Sequence, residues 1–119
     1  MAKIVAHPHH EDTTMVLLLA ELQAKPDAAE AVQRQLQALV AATSAEPGAV
    51  IYSVYRDDAD AQRFIVHELY RDDAARAAHL ASAPLQAALA AFDQLLAAPP
   101  KLTFGTLLGA HVATDAVAL

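Results

Sequence analysis

The order of short apolar runs along this chain leaves few folds open. Met15–Leu22 (MVLLLAEL), Ala49–Arg56 (AVIYSVYR), Arg63–Tyr70 (RFIVHELY) and Lys101–Val112 (KLTFGTLLGAHV) are rich in aliphatic and β-branched side chains and are bounded by turn-forming residues, which predicts four strands. Between the first two, Val32, Leu36, Leu39 and Val40 fall at i, i+4, i+7 and i+8, one stripe of a helix. Asp27 with Glu30 three residues on reads as its capping-box start. Pro47 and Gly48 end it, because proline pushes its predecessor out of helical angles and glycine tolerates a sharp turn. The polar stretch DDADAQ joins the second and third runs as an antiparallel hairpin. Asp72 or Asp73 caps a further helix, which Pro84 interrupts; Leu85, Leu89, Phe92 and Leu96 then line one face of the second piece. Pro99 and Pro100 stop it, and Gly105 and Gly109 are read as bend or bulge points in the last strand.

The order is β-α-β-β-α-β with its second helical unit in two pieces. The expected fold class is α+β, ferredoxin-like: a four-stranded antiparallel sheet with helices on one face. The domain is expected over residues 14–112, after a flexible arm at 1–13 and before a tail at 113–119. Both faces of the expected strands are apolar: Met15, Leu17 and Leu19 oppose Val16, Leu18 and Ala20, and Phe64 and Val66 oppose Ile65 and Leu69. Helices cover only one face. Leaving the other in water costs about 25 cal/mol per Å² of apolar surface, so a homodimer with two sheets face to face is expected.

Composition narrows the function classes. The formal net charge of −6 disfavours a phosphate backbone, and no basic patch forms in sequence, so no nucleic acid partner is expected. The absence of cysteine removes disulfides, thiolate metal sites and a thiol nucleophile. No run is long and apolar enough for a spanning helix and the N-terminus lacks a signal-peptide core, so no membrane is expected and the cytoplasm is the expected compartment. His7, His9, His10, Glu11 and Asp12 match no standard metal spacing and are read as a solvated tail. No metal and no cofactor is expected.

Three motifs, taken together, carry a resemblance. EPG at Glu46–Gly48 precedes a strand containing Tyr52; Glu68 stands two before Tyr70 in the third strand; and His79 precedes Ser82 by three in the following helix. In this order and over residues 14–112 the chain resembles the antibiotic biosynthesis monooxygenase domain family, quinol-monooxygenase-like. The resemblance implies a dimeric α+β barrel and, in some members, oxidation of phenolic or quinol-type compounds by O₂ without metal or flavin. Other members are isomerases, degrade haem, or have no known activity. The haem-degrading pattern uses a tryptophan where His79 stands, a ligating histidine further along the helix, and a first-strand asparagine. This chain has no tryptophan and no asparagine, and Leu89 falls near the ligand position. Tyr70 replaces the tryptophan usual in the third strand, which changes the shape of the pocket.

Period two puts Phe64, Val66, Glu68 and Tyr70 on one side of the third strand and Ile65, His67 and Leu69 on the other. Glu68 is expected to face the helices, because His79 lies on the helix that follows. There a carboxylate fixes the tautomer of an imidazole, whose other nitrogen accepts a proton from a phenol or enol. His79 and Glu68 are therefore the candidate catalytic residues, and Tyr70, Tyr52, Tyr55 and Phe92 the candidate substrate contacts. The expected reactants are a small aromatic molecule and O₂. The same base serves an isomerase or tautomerase equally well. The plainest alternative is a buried Glu68–His79 pair that only locks helix to sheet, in a dimer that binds a small molecule without chemistry. His67 is read as an interface or edge residue, EPG as a structural turn, and His111 as having no nameable partner.

Overall fold

The computed structural model describes residues 14–113, so the arm expected at 1–13 and all but the first residue of the tail lie outside the described residues. The elements are β1 (Val16–Gln23), α1 (Ala29–Thr43), β2 (Ala49–Arg56), β3 (Arg63–Tyr70), α2 (Asp73–Leu80), α3 (Ala83–Leu95) and β4 (Lys101–Thr106). They form a four-stranded sheet in the order β2-β3-β1-β4, with every pairing antiparallel. This is the ferredoxin-like arrangement. Among the described residues no helix is long and apolar enough to cross a membrane.

Register fixes which side chains share a face. Leu18 pairs with Glu68 on one side and Phe104 on the other, and Glu68 pairs with Tyr52. Along β1, Val16, Leu18, Ala20 and Leu22 are buried while the residues between them are half-buried. Ala20, Leu22, Phe64 and Val66 meet Val32, Leu36 and Leu39 of α1 and Leu85, Ala88 and Phe92 of α3 in one core cluster. The opposite face carries Leu17, Leu19, Ile51, Tyr55 and Ile65. It is apolar too, and the helices pack on the other side.

Local chemistry explains most boundaries. Asp72 caps α2, its carboxylate accepting from the Ala75 N–H at 2.8 Å. The Ser82 hydroxyl accepts from the Leu85 N–H and Pro84 sits in the first turn, so α3 starts anew rather than continuing α2. Three expectations fail. Asp27 does not cap α1: the Ala28 N–H donates back to the Lys25 carbonyl, the cap residue is Ala28, and no side chain caps the helix. The Pro26–Asp27 turn delays the first helical hydrogen bond past the aspartate. β4 stops at Thr106 rather than Val112. It is an edge strand paired only to β1, its last partner is Val16, and after a final bond from the Leu107 N–H to the Met15 carbonyl there is no strand left to pair with. Gly105 lies in regular register opposite Leu17, so it is not a bulge; a Cβ there would come within 3.3 Å of the leucine side chain.

Gly48 is the tighter constraint. A Cβ built on it would lie 2.3 Å from Cβ of Ala75. Its carbonyl accepts from the Arg71 N–H at 2.8 Å, so the loop ahead of β2 is clamped flat against the start of α2. Gly48→Ala is expected to cost about 1–3 kcal/mol through overpacking. Adding Ala75→Gly should recover part of that loss, although glycine alone in the helix costs about 1 kcal/mol. Urea unfolding of the two single variants and the double variant checks this.

Candidate functional site

The buried end of the helix–sheet layer collects three polar side chains from three elements. β3 alternates Glu68 onto the helix side, as expected from its position. His79 is the one buried residue of α2 and is 1% exposed, with Glu68 at 4%. The third is Glu46, in the loop between α1 and β2. Ala75 and His79 lie one turn apart on α2, so the loop that Gly48 lets dock on Ala75 also carries Glu46 to the imidazole. Both Glu46 oxygens approach His79 Nδ1, at 3.0 and 3.3 Å.

These contacts assign the proton on the ring. An ionised carboxylate can only accept, so Nδ1 carries the hydrogen and donates it to Glu46. In the neutral imidazole Nε2 then keeps its lone pair. It is buried, has no hydrogen-bond partner, and lies 3.6 Å from Glu68 Oε1, beyond bonding distance. The Tyr52 and Tyr70 rings each stand 5.3 Å from the imidazole, centroid to centroid, and hold its plane. The two carboxylates address opposite ring nitrogens, so they cannot converge on one ion. Among the described residues no group of His, Asp or Glu is arranged to hold a metal.

Glu68 receives a hydrogen bond from the Tyr70 hydroxyl at 2.5 Å. Burial pushes its carboxyl up to about 7; the Tyr70 bond opposes this and the nearby Glu46 charge adds to it. At neutral pH the group is therefore divided between acid and carboxylate. Burial raises both tyrosines well above the usual phenol value, with Glu68 adding to the effect, so both stay protonated as donors.

Beside this cluster lies a cavity of about 160 Å³. Glu68, His79 and Tyr52 give it one polar end. Its remaining walls are aliphatic apart from the Phe92 ring: Leu18, Ala20, Leu22 and Val66 from the sheet, and Leu36, Leu39, Leu85 and Leu89 from α1 and α3. Leu89 and Leu102 line it while remaining 37% and 46% exposed, which places its mouth between α3 and β4.

The structure brings His79, Glu68, Tyr52 and Phe92 together around one space. Tyr70 is buried behind Glu68 and bonds to it rather than lining the cavity. Tyr55 does not join them: period two turns it to the other face of β2, where it is 53% exposed. His67 faces the open side of the sheet, paired with Leu19 and Ser53. His111 is exposed beyond the end of β4. Glu46 is the residue that reading the sequence missed. EPG looks sufficient as a turn, and only its docking on α2 gives its acid a role. The signal was present in the glutamate itself, since a turn needs the proline and the glycine but not a carboxylate.

Comparison with known proteins bears on the same region. The family model for antibiotic biosynthesis monooxygenase matches residues 15–91. A Bacillus subtilis (strain 168) protein named "Putative monooxygenase YcnE" is 31% identical over 85 residues, covering 71% of this chain and 90% of that protein. PA3566 from Pseudomonas aeruginosa superposes with a TM-score of 0.76 at 33% identity, covering 82% of this chain and 98% of that one. Rv0793 from Mycobacterium tuberculosis gives 0.77 at 28% identity, over 82% and 99%.

The raised Glu68 carboxyl has a consequence for stability. Its folded value, about 7, lies above the ordinary 4.5, so the native state binds more protons than the unfolded chain between those values. Stability from this group is present below about pH 4.5 and is lost as pH rises through about 7. Against Glu68→Gln, which cannot ionise, the wild type should lose on the order of 3 kcal/mol across that window. Denaturant midpoints of both proteins at pH 4.5, 6 and 8 measure it.

Proposed function

The chain belongs to the antibiotic biosynthesis monooxygenase family, and on that premise we propose that it is a cofactor-independent monooxygenase oxidising a small phenolic or quinol-type compound with O₂. The observation that carries this reading is His79 Nε2: a buried, unpartnered lone pair at the polar end of an apolar cavity, its tautomer set by Glu46 on the far side of the ring. An imidazole so held is a general base with its proton site vacant.

In the proposed reaction the phenol hydroxyl gives its proton to Nε2. The phenolate passes one electron to O₂, leaving a phenoxyl radical and superoxide. These combine at a hydrogen-bearing ring carbon ortho or para to the oxygen, and the imidazolium returns the proton to give a hydroperoxide. Loss of the hydrogen at that carbon as a proton, with cleavage of the O–O bond, yields a quinone and hydroxide, and proton and hydroxide form water. One oxygen atom enters the ring and the other leaves as water; all four electrons come from the substrate. Glu68, poised near neutrality, carries the ring proton to the departing hydroxide. Tyr52, held in its hydroxyl form, donates to the substrate oxygen. The apolar walls keep water from the radical pair.

We also propose that the protein works as a homodimer, with the open faces of two sheets packed together through Leu17, Leu19, Ile51, Tyr55 and Ile65. Apolar residues on a sheet face without helices support this reading. Sedimentation equilibrium at micromolar concentration should give twice the chain mass of 12.6 kDa, and a clean monomer contradicts the proposal.

For the chemistry, an oxygen electrode with a panel of phenols, hydroquinones, naphthols and anthrones should detect uptake above background. His79→Ala is expected to reduce it by about 10²–10⁴-fold while circular dichroism stays native. Incorporation of solvent deuterium into a substrate without oxygen consumption would assign the same base to an isomerase instead. A panel that gives neither result leaves the pair as a structural lock.

A further inference from the structure

The cavity also carries information about what fits it. We infer that the site takes a single-ring phenol with apolar substituents, entering hydroxyl first between Leu89 and Leu102, and excludes fused two- and three-ring compounds. The inference rests on the proposed role of the Glu68–His79 end, and it concerns which ring reaches that end.

Two observations carry it. The first is size. About 160 Å³ is close to the roughly 150 Å³ of an apolar protein cavity that binds benzene, and well below the roughly 300–1,000 Å³ of sites for larger ligands. The walls are not free to retreat: Phe92 and Leu36 are 4% and 2% exposed and packed into the core. The second is polarity. Polar side chains occupy one end only, so one hydroxyl is satisfied there, while a second hydroxyl elsewhere on the ring would be buried against leucine and phenylalanine without a partner. A second fused ring exceeds the cavity volume and meets Leu22, Leu36 and Phe92, which line the cavity.

Binding is measured under nitrogen, so that affinity is read without turnover. Saturation-transfer NMR and isothermal titration are run with 4-methylphenol, hydroquinone, 2-naphthol and anthrone. The expected result is saturable binding of 4-methylphenol, with hydroquinone, 2-naphthol and anthrone each at least tenfold weaker. Leu102→Trp, at a half-exposed edge position that the fold tolerates, should abolish 4-methylphenol binding by filling the mouth. Phe92→Ala should admit 2-naphthol; Leu89→Ala, on the exposed side of α3, serves the same purpose if the core variant does not fold. Equal or tighter binding of 2-naphthol or anthrone by the wild type overturns the inference, as does unchanged affinity in Leu102→Trp or the failure of every phenol to bind. Single-ring binding with no oxygen uptake on readmitting air upholds the size selection and removes the oxygenase reading. Uptake with anthrone alone does the reverse.

Discussion

A carboxyl group placed in a hydrocarbon layer either finds donors or gives up its charge, and Glu68 does some of each. The alternation of β3 forces it beneath the helices. Once there, the group accepts from Tyr70, lies just beyond bonding distance from His79, and has its carboxyl raised to about 7. The surrounding placements follow from accommodating it. Tyr70 is buried with its hydroxyl turned to the acid. His79 takes the buried position on an otherwise exposed or half-buried helix. Glu46 is drawn in to hold the far nitrogen of the ring. An apolar residue at position 68 would leave the imidazole in a greasy layer with one anchor and no proton partner.

Much of this was legible in the residues. The bounds of β2 and β3 coincide with the apolar runs because turns rich in aspartate, proline and glycine flank both. The side of β3 that Glu68 faces followed from period two together with the position of His79 on the next helix. What stayed hidden depended on long-range contacts. Asp27 and Glu30 have capping spacing, but the Pro26 turn claims the backbone first. KLTFGTLLGAHV looks like one strand along its whole length, yet a strand is only as long as its neighbour, and β1 begins at Val16. Tyr52 and Tyr55 look equivalent until register puts one against the imidazole and turns the other to the open face. Glu46 and His79 are separated by a strand, a hairpin and a strand, and no local pattern ties them together.

The two faces of the sheet do different work with similar side chains. On the helix side the aliphatic residues interdigitate with α1 and α3, but the packing stops short of the polar cluster and leaves a cavity. On the other side Leu17, Leu19 and Ile65 form an apolar surface that also carries His67 and is edged by the Glu21–Arg63–Asp57 ion pairs. Apart from His67 and the ion pairs at one end, the two central strands thus carry hydrocarbon on both sides and a buried acid at one point, Glu68. That explains why the sequence alternates so weakly.

The break at Ser82 and Pro84 divides what would otherwise be one long rod. The shorter segment, clamped by Asp72 and by the glycine loop, carries the imidazole nitrogen proposed as the base. The longer one supplies the ceiling and doorway of the chamber. Because the joint uncouples them, replacements along the ceiling can resize the chamber without tilting the His79 ring. A lineage built on this scaffold can thus alter what the chamber admits while keeping its polar end in place.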